Sequence, residues 1–155
     1  MLVGEVMNKN PATIHSSATL GQAAATLSRT RASDLAVLDE NGTFLGVLSE
    51  GDVLRTLLPR FEEVVSGGGS LEEAFELFLR NGRFLADQPI GRIVIKETIT
   101  SSPDDDLLQA ATAMVSKQIR LLPVIVDHKL VGSVSRAEIC LGALAGLGAE
   151  PAPPG

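Results

Sequence analysis

The chain has no tryptophan and no tyrosine, and only one cysteine and two histidines among 155 residues. Each scarcity closes off a chemistry. A single thiol, Cys140, has no partner for an internal disulfide and cannot supply a cysteine zinc site, which fits an intracellular setting. His15 and His128 have no Cys or second His at ligand spacing beside them, which argues against a metal centre or a nucleophile–base pair built on either. Cys140 lies in an apolar stretch and is expected in the core rather than as a nucleophile. Clustered Lys and Arg are missing too. With a net charge of −6 and a pI near 4.9, no basic footprint for a nucleic-acid backbone is present. No run approaches the roughly 18 apolar residues of a membrane helix, and Met1 to Lys9 has no basic segment leading into an apolar one. The expectation is a soluble cytoplasmic protein with neither a membrane nor a nucleic-acid partner, and not an enzyme.

What the chain does have is aliphatic bulk. Apolar residues make up 45% and charged residues 21%, enough for a sizeable core. At this length one compact domain is expected, or two small units that need each other, because burial falls off steeply below roughly 60 residues.

The sequence contains an internal repeat. Gly46-Val47-Leu48-Ser49-Glu50-Gly51-Asp52-Val53 aligns with Gly132-Ser133-Val134-Ser135-Arg136-Ala137-Glu138-Ile139, the glycines lying 86 positions apart. Leu35 to Asp39 matches Pro123 to Asp127 at an offset of 88, so two residues are lost from the second turn. A hairpin turn tolerates such a loss: Asn41-Gly42 is a strong hairpin signal, and Asp127-His128-Lys129 is its shorter version. Leu20, Ala23, Ala24 and Leu27 recur as Leu107, Ala110, Ala111 and Met114, with the spacing of an amphipathic helix. Each unit therefore reads as a short strand (Thr13-Ile14, Thr98-Ile99-Thr100), a helix, a β-hairpin and a second helix over about 50–57 or 136–144.

These blocks, with Pro11-Ala12-Thr13-Ile14 and Leu122-Pro123-Val124, resemble the cystathionine β-synthase (CBS) domain family twice over. The resemblance implies an α/β fold: two β-α-β-β-α motifs, at 1–58 and 90–144, packed sheet to sheet with pseudo-two-fold symmetry. It also implies a flat dimer of two such modules, and a cleft between the motifs that binds an adenosine-containing ligand such as AMP, ADP, ATP or S-adenosylmethionine, with no cofactor required.

Carried over residue by residue, the family's Ser/Thr-x-x-Asp pattern falls on Ser49 and Asp52 in the first copy and on Ser135 and Glu138 in the second. A carboxylate can accept hydrogen bonds from a ribose diol, while a hydroxyl and free amides at a helix start receive phosphate. The same four residues also satisfy a different reading. Ser-x-x-acid before an apolar run is a capping box, with no ligand involved. Arg136, in the first helical turn where the dipole disfavours a cation, hints at a nearby anion or is a solvated surface residue; Arg120 is placed to serve the same second site. With no Trp or Tyr for stacking, an adenine would lie among Ile14, Ile99, Val37 and Val124. Asp104-Asp105-Asp106 reads as helix-start charge, with Mg²⁺ as a remote second option.

Residues 59–89 belong to neither copy. They hold the flexible-looking Ser66-Gly67-Gly68-Gly69-Ser70, a helix starting at Ser70 with Glu73 three residues on, and four of the five Phe: 61, 75, 78 and 84. Docking of that Phe face on the same chain and contact with a second copy both fit. Residues 145–155 are expected to fray. Two functional readings stand: a regulatory module that senses an adenosyl ligand for an unknown protein partner, or a ligand-free scaffold acting through homodimerisation and the insert.

Overall fold

The computed structural model of the chain describes residues 1–146. Each repeat places a polar cap just ahead of an apolar helical stripe. Thr19 Oγ1 accepts the Gln22 amide at 3.2 Å and Gln22 returns a bond to the Thr19 amide at 2.9 Å, starting a helix at Leu20–Thr30. Asp106 Oδ1 accepts the Leu108 amide at 2.7 Å and starts its counterpart at Leu107–Ser116. Leu20, Ala23 and Leu27 of the one, and Leu107, Ala110 and Met114 of the other, are buried, as the spacing predicts.

The hairpins follow. In chain order the elements are α1 (Val3–Val6), β1 (Thr13–His15), α2 (Leu20–Thr30), β2 (Asp34–Leu38), β3 (Phe44–Ser49), α3 (Glu50–Leu57), α4 (Phe61–Ser66), α5 (Leu71–Leu85), α6 (Leu107–Ser116), β4 (Leu121–Val126), β5 (Lys129–Ser135) and α7 (Arg136–Leu144). A 3₁₀ turn at Ile90–Arg92 precedes the second repeat. The first sheet runs β1-β2-β3, with β1 parallel to β2 and β3 antiparallel, while the second holds β4 and β5 alone. In the first turn Gly42 takes the left-handed backbone at φ 78°; in the second Asp127 and His128 take it at 49° and 65°, the two positive φ values of a two-residue hairpin turn.

The strand expected at Thr98–Thr100 does not form. Pairing there is a single parallel bridge, Ser101 to Val124, in which the Ser101 amide donates to Pro123 O and the Ile125 amide to Ser101 O, both at 2.8 Å. Val37 stands opposite Gly46 as Val124 stands opposite Gly132, so β2 matches β4 at an offset of 87 rather than 88, and Ser101, not Ile99, is the counterpart of Ile14, which pairs with Val37. The chain turns away at once, because Asp105 Oδ2 accepts Ser101 Oγ at 2.9 Å and the Ser102 amide at 2.8 Å.

Buried apolar side chains form two clusters, and each borrows a residue from the other repeat. Val3, from the segment leading the first repeat, lies fully buried with Leu107, Met114, Leu122 and Val134. Ile90, which leads the second, lies fully buried with Leu20, Leu27, Leu35 and Leu48. The crossing is fixed by backbone pairs: Asn8 exchanges hydrogen bonds with Ser133 on the edge of β5, and Ile95 with Val47 on the edge of β3. The repeat's glycines make room for it. A Cβ on Gly46 would come within 2.4 Å of Ile95 O, and one on Gly132 within 2.8 Å of Asn8 O.

The insert is helical in both halves. Ser70 Oγ accepts the Glu73 amide at 3.1 Å and starts α5, and Asn81 Nδ2 donates to Leu57 O at 3.0 Å, tying α5 to α3. The Gly67–Gly69 stretch closes α4 as a hydrogen-bonded helix end, the Gly69 amide donating to Val64 O at 2.7 Å. The end of α5 docks on the chain, Leu85 packing against the first core and Phe78 half-buried, but among the described residues nothing covers the start of its apolar face: Leu71 is 88% exposed and Phe75 58%. Cys140 is exposed, against the expectation of a core thiol. The fraying expected of residues 145–155 falls, from 147 on, outside the described residues.

Candidate functional site

Because the leading segments cross, each cleft is assembled from both repeats. The first has a cavity volume of about 360 Å³. One wall is Asp34, Val47, Ser49, Asp52 and Arg55; the other is Ile95 and Glu97 to Ile99, with Lys117 to Leu121 at the end of α6 closing it. The second, of about 530 Å³, is built from the equivalent positions: Asn8 and Asn10 to Ala12 cross over to Ser133, Ser135 and Glu138, and Thr30 to Asp34 close it.

The start of α3 carries the first cleft's polar centre. Ser49 caps the helix by accepting the Asp52 amide at 3.1 Å, and its hydroxyl donates to Asp52 Oδ2 at 2.7 Å. Arg55, one turn on, donates to Asp52 Oδ1. Burial pushes the Asp52 carboxyl up, but the hydrogen bonds from Ser49 and Arg55 together outweigh it and hold the group below the ordinary carboxylate value. Asp52 is thus a fixed anion. Arg120 stands across the cleft, its Nε 4.0 Å from Asp34 Oδ2. Thr98 Oγ1, on the facing wall, is a buried hydroxyl with no hydrogen-bond partner among the described residues. An orphan of this kind costs free energy unless another group meets it.

The second cleft is held differently. Glu138 reaches back so that its carboxylate accepts both the Ser135 amide, at 2.6 Å, and the Ser135 hydroxyl. Ser135 itself accepts no amide with its side chain.

Of the residues singled out from sequence, the structure brings Ser49, Asp52, Ile99 and Arg120 to the first cleft and Ser135 and Glu138 to the second. Arg120 and Ile99, which sequence position groups with the second copy, stand in the first cleft because the crossing puts them there. Ile14, Val37 and Val124 are buried in the two cores and line neither cleft. Arg136 is exposed at the start of α7 and lines neither. Arg55, Thr98 and Lys117 were not singled out; Arg55 carried a signal, standing three residues after Asp52 on one helix. Among the described residues no group of His, Cys, Asp or Glu is placed to hold a metal ion, and no helix is long and apolar enough to cross a membrane.

Two mixed α/β repeats, exchanging their leading segments and enclosing two related clefts, define a paired module. The CBS domain family model matches residues 3–59 and 90–142, and the chain belongs to that family. It is similar to an uncharacterized protein of Methanocaldococcus jannaschii, 25% identical over 150 residues, covering 90% of this chain and 89% of that one. It spans 23% to 40% of the length of three further curated relatives, one of them a homoserine O-acetyltransferase. Its fold is that of the CBS-pair protein CBSX2 from Arabidopsis thaliana, with a TM-score of 0.74 at 23% identity over 93% of this chain and 94% of that one. A structure of CBSX2 in complex with AMP gives 0.71 at 22% identity, covering 93% and 96%. The CBS domain pair of protein MJ0100, in complex with 5′-methylthioadenosine and S-adenosyl-L-methionine, gives 0.64 at 22%, covering 94% and 96%.

Proposed function

We propose that this chain is a regulatory module that binds an adenine nucleotide or another adenosyl ligand in the clefts between its repeats and passes occupancy to a protein partner by shifting a conformational equilibrium. The observation that carries the reading is the first cleft: a fixed carboxylate at a helix start, an orphaned hydroxyl opposite, and Lys117, Arg120 and Arg55 around one cavity. Asp52 suits a ribose diol, and the cations suit phosphate. The ligands of CBSX2 and of the MJ0100 pair support the same class. A nucleotide sensor of this kind works where nucleotides are, in the cytoplasm, and needs no cofactor. The test is a thermal-shift panel of AMP, ADP, ATP, NAD and S-adenosylmethionine, since a ligand at 100 times its dissociation constant adds about 2.7 kcal/mol of stability. An unmoved melting temperature with all five would sink the reading.

A second reading, self-assembly, is favoured by the bare face of α5. Glu72, Glu73 and Glu76 stand toward its start and Arg80 and Arg83 toward its end, so antiparallel pairing with a second copy sets opposite charges together and covers Leu71, Phe75 and Leu79. Sedimentation velocity should show a homodimer that Phe75→Glu dissociates. A wild-type monomer at micromolar concentration would remove this reading.

A further inference from the structure

The two clefts share a frame but not a charge. Lys117 of the first stands where the second has Thr30, and Arg120 where it has Ser33. Arg55, which neutralises Asp52, has Leu141 as its counterpart one turn after Glu138. Two positions run the other way, Gln118 against Arg31 and Glu97 against Asn10. The first cleft therefore sets Arg55, Lys117 and Arg120 beside Asp34, Asp52 and Glu97; the second sets Arg31 alone beside Asp34 and Glu138. Lys117 makes no ion pair among the described residues and is open to an incoming anion. The Glu138 carboxylate, fixed by the Ser135 amide and hydroxyl, faces the second cavity with Leu141 one turn on, where the first cleft has Arg55; Arg136, in its own turn, is exposed and does not line the cavity. A phosphate entering there shares one cavity with two carboxylates and a single guanidinium, where charge is screened less than in bulk water.

Resting on the nucleotide reading above, we propose that the clefts select by charge: the first takes a phosphate-bearing nucleoside, and the second rejects phosphate and admits a nucleoside that is uncharged or cationic. One chain then reads two ligands at once. A nucleoside monophosphate and a phosphate-free adenosine derivative occupy different clefts and do not compete.

The experiment is isothermal titration calorimetry on the full chain with AMP, and then with adenosine after AMP saturation. The expected result is one AMP per chain, with adenosine filling one further site. Lys117→Ala combined with Arg120→Ala should weaken AMP at least tenfold and leave the adenosine site intact. Thr30→Lys combined with Glu138→Gln should create a second AMP site, since Gln keeps the bond to the Ser135 amide while removing the charge. Circular dichroism melts of both double variants separate lost binding from lost fold. Two equivalent AMP sites in the wild type, or an AMP site weakened by Arg31→Ala but indifferent to Lys117→Ala and Arg120→Ala, would overturn the charge proposal while leaving the nucleotide reading standing. If neither AMP nor adenosine binds, the charge proposal falls, and the nucleotide reading stands or falls with the thermal-shift panel.

Discussion

Asp52 and Glu138 occupy one position of the repeat, yet they are held in different ways. The shorter Asp52 takes the Ser49 hydroxyl and Arg55, while the longer Glu138 folds back onto the amide and hydroxyl of its own cap. Two changes act together: Leu141 replaces Arg55 as the neighbour one turn on, and the extra methylene lets the Glu138 carboxylate close its own helix. The same contrast runs through the two halves. The first has a three-stranded sheet and the second a two-stranded one with a single bridging residue. A common frame therefore fixes where the clefts lie, and single substitutions within it decide what each can bind.

The crossing of the leading segments is the feature to break first, and the two repeat glycines should break unequally. Gly46→Ala sets its Cβ against the backbone of Ile95, which cannot swing aside; about 3 kcal/mol or more should be lost in urea denaturation. At Gly132 the nearest atoms include the Met7 side chain as well as Asn8 O, and the loss should be smaller. Equal losses at both sites would mean that the two crossings are equally tight. Next comes Ile90→Ala, which empties a fully buried position in the first core from a residue of the second repeat; about 3 kcal/mol is expected. A loss under about 1 kcal/mol would show that the borrowed residue is dispensable.

That crossing marks the limit of what the sequence makes legible. Hairpins and helices carry period and turn chemistry over many residues, so their order, and the helices at 50–57 and 136–144, can be read from the chain. The crossing rests on a four-residue helix and on isolated bridges at Asn8 and Ile95, too short for any period to show. It also pairs residues of different repeats, so a reading that keeps each copy's residues together sends Arg120 to the wrong cleft. Ile14, Val37 and Val124 are apolar beside the motif, which suits an adenine wall and a core equally; burial decides for the core. Cys140 was misplaced because α7 carries Ile139, Leu141 and Leu144 around it, and an apolar run on several faces does not say which face is inward.

Asp52→Asn sharpens the comparison at the clefts. It should weaken a nucleotide in the first cleft about tenfold or more, as one charge-assisted hydrogen-bond pair is lost. Adenosine in the second cleft should be untouched. The change also has a pH signature. The folded state holds the Asp52 carboxyl below its ordinary value of 3.8, so its contribution to stability is complete above that value and is lost as pH falls through the lower, folded one. In urea melts, wild type should exceed Asp52→Asn at neutral pH, and the gap should close below about pH 4. A gap that persisted in acid would mean that the charge of Asp52 does not matter to the fold.

The smallest expected difference lies between the two caps. Ser49 accepts the Asp52 amide with its hydroxyl oxygen, so Ser49→Ala removes a true N-cap and should cost about 1 kcal/mol. Ser135 accepts no amide with its side chain; its hydroxyl only adds a donor to the Glu138 carboxylate, which keeps the Ser135 amide at 2.6 Å when the hydroxyl is gone. Since the backbone half of that cap survives, Ser135→Ala should cost about 0.5 kcal/mol or less. Paired urea denaturation of the two variants measures the difference directly. If Ser135→Ala proved the costlier, the second helix would be capped by its serine after all, and Glu138 would be left free to turn its carboxylate toward a ligand.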